Sequence, residues 1–89
     1  MRQIWKFTLA LQESQTVPMP KGARILTVQM QGRYPCLWAV VDPGMEREAR
    51  VFQIIGTGHP TEEAAFKNYV GTWQDGPMVW HLFEREVGR

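Results

Sequence analysis

Cysteine and serine each occur once in these 89 residues, as Cys36 and Ser14. A single thiol excludes an internal disulfide framework and fits a reducing compartment. Ser14 sits in a polar turn with no histidine near it in sequence, so a serine nucleophile with a local base is not indicated. Histidine is scarce too, with only His59 and His81, and their spacing to Cys36 matches no zinc pattern. The chain also lacks any apolar run long enough to cross a bilayer. Near the N-terminus Ile4-Trp5-Lys6-Phe7-Thr8-Leu9 mixes polar with apolar residues, which is not a signal-peptide core. Nor is there an excess of either charge: ten Lys and Arg against nine Asp and Glu leave a net charge of +1. That argues against a surface built to neutralise duplex nucleic acid, although a local basic patch stays open. These absences together lead us to expect an intracellular, non-enzymatic protein with no metal and no cofactor.

What is present is apolar and aromatic. Hydrophobic residues make up 44% of the chain, with four tryptophans and five methionines, enough for a packed core rather than disorder. A chain this short hides only about 64% of the surface its unfolded form exposes. Some of the large apolar side chains are therefore expected in a pocket or a subunit interface.

The patterning is that of strands. Trp5, Phe7 and Leu9 alternate with Lys6, Thr8 and Ala10, so residues 3–10 read as a half-buried strand. Gln12 to Gln15 read as a turn. Thr16-Val17 reads as a short extended piece that Pro18 and Pro20, lacking N–H donors, confine to a sheet edge. Leu26, Val28 and Met30 alternate with Thr27, Gln29 and Gln31 across 24–31. The residues around Gly32-Arg33 are turn chemistry, and 36–41 is apolar on both faces, as in a central strand hairpinned to 24–31. Met45 to Arg50 reads as a charged loop or one helical turn, and Val51 to Ile55 as a strand. A short helix is expected through Glu62-Ala65, with its glutamates favourably near the N-terminus. Residues 69–73 and 78–84 flank Asp75-Gly76, a hairpin signal, and a frayed tail is expected over 85–89. The expected fold is all-β, a small antiparallel sandwich or barrel of six to seven strands with at most one short helix, in one domain over 1–89.

The candidate site is Gly56-Thr57-Gly58-His59-Pro60, which ends the strand at 51–55. Two glycines leave the backbone free for positive φ, and successive amides in such a turn can form a concave nest for an anion, with His59 adding a donor or a charge. The plain alternative is a tight turn with His59 merely at the surface. On the last strand Met78, Trp80 and Leu82 point one way, into the expected core, and Val79, His81 and Phe83 the other, as a stripe that needs cover. Arg24, Arg33, Arg47 and Arg50 fall near strand ends, where guanidinium groups either converge on an anion or serve as ordinary surface charge. Glu62 and Glu63 beside His59 read as solvated carboxylates rather than acid–base groups.

Pro20-Lys21-Gly22-Ala23, Val28-Gln29, Leu37-Trp38-Ala39-Val40-Val41-Asp42-Pro43, Gly56-Thr57-Gly58-His59-Pro60, Gly71-Thr72 and Val79-Trp80-His81-Leu82-Phe83-Glu84 together resemble a family of short phage and prophage proteins of unknown function. The resemblance covers nearly the whole chain, with Trp73 as a departure, and brings no catalytic residues. It implies a viral setting in the cytoplasm of an infected bacterial host, where small proteins act by occupying a host protein or by sequestering a nucleotide-derived signal of immunity. The expected ligand is small, anionic and nucleotide-like. Gly56, Thr57, Gly58 and His59 would hold its phosphate or ribose, Trp80 or Trp38 would stack on its base, and Arg50 or Arg47 would neutralise its charge. A homo-oligomer is expected. An inhibitor of a host protein and a single-strand nucleic-acid binder are the competing readings.

Overall fold

A computed structural model describes residues 1–86. Seven strands run in chain order: β1 Gln3–Thr8, β2 Ser14–Pro20, β3 Arg24–Gln31, β4 Tyr34–Val41, β5 Arg47–Gly56, β6 Tyr69–Asp75 and β7 Met78–Arg85. A single 3-10 turn, Glu63–Phe66, interrupts them where a short helix is expected. The strands form two antiparallel sheets, one ordered β1-β4-β3 and the other β2-β5-β7-β6. The fold is thus all-β with seven strands, as the patterning implies. Of the expected tail, Arg85 belongs to β7, and residues 87–89 lie outside the described residues.

The alternation of side chains decides which face of each sheet turns inward. Leu37, Ala39 and Val41 of β4 meet Phe52 and Ile54 of β5, Met19 of β2 and Leu82 of β7 in one core. Phe52, Leu37 and Leu82 are fully buried, each worth about 1.5–3 kcal/mol of transfer free energy. The result is a flat sandwich, 40 × 34 × 16 Å along its principal axes.

Proline and glycine set the edges and corners. Pro18 and Pro20 lie on β2, an edge strand of its sheet, where a missing donor costs least. The two tight hairpins have two-residue loops, Gly32-Arg33 between Gln31 and Tyr34 and Gly76-Pro77 between Asp75 and Met78. Gly32 and Gly76 have φ of +65° and +59°, the first-position glycine of a II′-type turn. The second hairpin therefore turns on Gly76-Pro77 rather than on Asp75-Gly76.

Further expectations are corrected. Ser14 and Gln15 open β2, paired with Gln53 and Phe52, rather than closing a turn. Residues 47–50 are strand, not loop: Arg47 to Arg50 pair with Pro20 to Val17, and the charged alternation belongs to a half-wet extended ribbon. Met78 stays 42% exposed at the hairpin and does not fill the core, which Leu82 does alone on that strand. Trp80 packs against the core from a partly buried position.

The sheets approach one another most closely along β3 and β6. A Cβ on Gly71 would stand 2.9 Å from Val28 Cγ1, so only glycine lets the two strands pass this near. Both strands carry a bulge beside the contact, at Ile25/Thr27 and at Tyr69/Gly71, consistent with strands bent towards each other at a sheet rim.

Candidate functional site

The 56–60 segment leaves β5 at the end where β2 no longer flanks it. Ile54 N–H donates to Glu13 O at 2.8 Å just before β2 begins, and beyond that the chain turns back. Gly56 to His59 is a β-turn: His59 N–H donates to Gly56 O at 3.1 Å, and Gly58, at the third position, has φ +85°. That positive φ is what a type II turn asks of its third residue. Gly56 has a different reason to be glycine. A Cβ there would lie 2.6 Å from Cε1 and Nδ1 of His59 and 3.0 Å from Cζ3 of Trp80.

This geometry removes the anion nest. Thr57 N–H donates to Val79 O at 3.1 Å, and the His59 amide closes the turn, so neither points at a ligand. The arginines do not converge either. Arg50 is clamped by both carboxylate oxygens of Glu84, through Nε and through Nη2 at 2.9 Å, and its Nη1 donates to Ala23 O at 2.8 Å. The hydrogen bond that Arg50 donates to Glu84 raises the Arg50 pKa above its ordinary value, burial opposing. Arg47 lies over the indole of Trp5, 5.2 Å from the ring centroid, a cation–π contact. Arg24 pairs with Val40 and Arg33 occupies the β3–β4 loop, both on the other sheet. Trp38 is on that sheet too, facing outward between Lys6 and Thr27, so it does not join the glycine turn.

The hydroxyl of Thr57, expected to face a ligand, meets His81 of β7 instead. Its Oγ1 is 2.8 Å from Nε2 of His81, and the other ring nitrogen of His81 is 2.9 Å from Thr72 Oγ1. Tyr69 Oη continues the line at 2.6 Å from Thr72 Oγ1. The stripe of Val79, His81 and Phe83 is thus partly covered: Phe83 packs edge-on against Phe66 of the 3-10 turn and beside Tyr69.

His59 and Trp80 do come together. Their rings meet edge to face with centroids 6.0 Å apart. Beside them the 59–65 segment folds over the outer face of β5 and leaves a cavity of about 440 Å³, lined by Glu13, Gln53, Ile55, His59, Thr61, Glu62 and Arg85 among others. That volume is within the range of small-molecule sites, roughly 300–1,000 Å³. A smaller apolar notch of about 100 Å³, lined by Leu11, Ile54, Trp73 and Trp80, shares Glu13 and Ile54 with the cavity. Gln53 is the residue that sequence reasoning missed. Its Oε1 is buried and has no hydrogen-bond partner among the described residues, a costly state for a polar atom. The only signal in sequence is a glutamine inside an otherwise apolar strand.

The lining is of mixed sign. Glu13 and Glu62 stand against Arg85, so the cavity suits a ligand that has hydrogen-bond donors as well as a negative group, and does not suit a bare polyphosphate. Among the described residues no group of three or more His, Cys, Asp or Glu is placed to hold a metal ion, and no helix is long and apolar enough to cross a membrane. No curated protein and no solved structure matches the chain. A family model described as a domain of unknown function, DUF7352, matches residues 1–89, and the chain, with its seven-strand sandwich and its cavity under the glycine turn, belongs to that family.

Proposed function

We propose that the protein is a binder, not an enzyme, of a small nucleotide-like anion. In this reading it is a phage protein acting as a homo-oligomer in the cytoplasm of an infected bacterial host, where it withdraws a nucleotide-derived signal of immunity. The observation that carries the reading is Gln53: an amide oxygen without a partner, in the wall of a ligand-sized cavity. The oxygen is closed to solvent as it stands, and a half-turn of the amide brings it to the cavity, where a nucleobase N–H supplies the donor it lacks. The indoles of Trp73 and Trp80 line the notch on the core side of β5, the face opposite Gln53, and take no part in holding the base. Arg85 makes no ion pair among the described residues and supplies the positive charge for a phosphate or carboxylate, with the His59 ring beside it in the lining. Leu11, 66% exposed beside the notch, supports a subunit contact that covers it.

The test is to purify the protein from its natural host, denature it, and identify released small molecules by mass spectrometry. A nucleotide-like compound released in stoichiometric amount is the expected result, with His59→Ala and Arg85→Gln each weakening rebinding by at least about tenfold. An empty protein that retains one host polypeptide would replace the reading with inhibition of a host factor.

A further inference from the structure

The two sheets differ sharply in charge. All nine carboxylates of the chain lie outside β1, β3, β4 and the loop joining β3 to β4, whereas Lys6, Arg24 and Arg33 lie within them and Arg2 immediately precedes β1. The overall charge near zero therefore conceals a three-stranded sheet that is basic throughout. Asp42, the nearest acid, follows β4 and accepts a hydrogen bond from the Gly44 amide at 3.0 Å, which keeps it in its own turn.

The outward face of this sheet can be read from the register, because residues directly opposite one another share a face. Ile4, Val40 and Arg24 form one row, and Lys6, Trp38 and Thr27 the next. Thr8, Cys36 and Gln29 form the third, with Tyr34 and Gln31 beyond it. Along the central strand Tyr34 and Trp38 are four residues apart on this same face, roughly 13 Å in an extended chain. Tyr34 is 49% exposed and Trp38 partly exposed. Lys6 Nζ donates to Gln31 Oε1 at 2.7 Å, reaching from one edge strand to the other across β4, which places its ammonium between the two aromatic positions. The thiol of Cys36 lies buried beneath that reach.

We propose that this face binds single-stranded nucleic acid, at a site separate from the cavity and independent of its function. Aromatic side chains on a central strand, flanked by cations and free of carboxylates, are what a stacked base and its phosphates require. Duplex is excluded as the favoured partner by the geometry, since a flat face offers no helix or ribbon to a groove and its aromatics need unpaired bases. The charge selects nucleic acid over an uncharged protein surface.

The experiment is fluorescence anisotropy of a labelled 20-residue oligothymidylate and of a matched duplex, titrated with the full-length protein at 50 and 200 mM salt. The single strand is expected to bind more tightly than the duplex. Its affinity should fall by roughly tenfold to twentyfold over that salt range, as about three phosphate contacts on a single strand require. Trp38→Ala and Tyr34→Ala should each weaken binding by between roughly fivefold and a hundredfold. The double change Lys6→Gln with Arg24→Gln, which leaves the apolar packing alone, should flatten the salt dependence. Absence of binding at 50 mM salt, duplex bound as tightly as single strand, or a folded Trp38→Ala protein that binds like the parent would each overturn the proposal. So would a protein that ignores the oligonucleotide and whose oligomeric mass changes with Trp38→Ala, since the face would then be a contact between copies of this chain.

Discussion

The Cα of Gly56 is the seat of the His59 imidazole: a methyl group added there would stand 2.6 Å from two of the ring's atoms. The glycine is thus demanded by a side chain rather than by backbone conformation, since Gly58 and not Gly56 has positive φ. Gly56→Ala is expected to displace the ring from its edge-to-face contact with Trp80 and to cost about 1 kcal/mol. In a His59→Ala background the same change should cost clearly less, because the obstructing ring is gone. The measurement is a double-mutant cycle by urea denaturation. Strict additivity would mean that Trp80, whose Cζ3 lies 3.0 Å away, is the true obstacle.

That contact also shows how far the residues alone lead. The β3–β4 hairpin, the edge position of β2 and the 3-10 turn follow from local chemistry: alternation, proline without a donor, glycine at a corner. Residues 47–50 resist such reading because Glu46, Arg47, Glu48 and Arg50 have the polarity of a loop, and only pairing with β2 and the clamp from Glu84 make them strand. The partition into two sheets is equally non-local. Nothing near Trp38 in sequence says that it faces away from His59, and nothing near Thr57 says that its partner is His81. The nest at the glycine turn fails for the same reason, since Val79, 22 residues on, takes up the Thr57 amide.

The hydroxyl of Thr57 fixes a tautomer. It donates to Val79 O at 3.2 Å, so its oxygen accepts from Nε2–H of His81, and Nδ1 in turn accepts from Thr72, which accepts from Tyr69. Nitrogen-15 NMR of the imidazole should therefore show neutral His81 carrying its proton on Nε2. Thr57→Val should leave that N–H without its acceptor and cost up to about 1 kcal/mol. A ring protonated on Nδ1 in the parent protein would reverse the direction of the chain.

Arg50 and Glu84 bind each other at side-chain exposures of 17% and 21%. Glu84→Gln is expected to cost about 2 kcal/mol, because a half-buried guanidinium loses its counter-charge, and replacing both partners by methionine should cost less than either single change. Lysine at position 50 should not rescue, as it lacks the fork that reaches two carboxylate oxygens and Ala23 O together. The sign of the pH effect follows from the raised Arg50 pKa. Its stabilisation is complete below the unfolded value and is lost only as pH rises through the higher folded one, so the stability difference between the parent and Arg50→Met should stay level from about pH 7 to about pH 10. Chemical denaturation across that range checks this, and a steady decline would place the relevant titration elsewhere.

Gln53 separates stability from binding more cleanly than any other position. Its buried Oε1 without a partner is a liability to the free protein, since an unmet acceptor costs roughly 1–3 kcal/mol. Gln53→Leu, close to it in volume and compatible with a strand whose neighbours Ile54 and Ile55 are buried, should leave the fold as stable as before or raise the thermal midpoint by several degrees, about 4–8 °C per kcal/mol in a domain of this size. The same change should abolish retention of the co-purifying small molecule, because the cavity would then offer leucine where the ligand's donor has to be met. Differential scanning calorimetry gives the first quantity and mass spectrometry of the denatured protein the second. A gain in stability with ligand still retained would detach the cavity from the binding function. A large loss of stability would mean that the amide is satisfied within the fold, leaving no unmet acceptor to draw a ligand in.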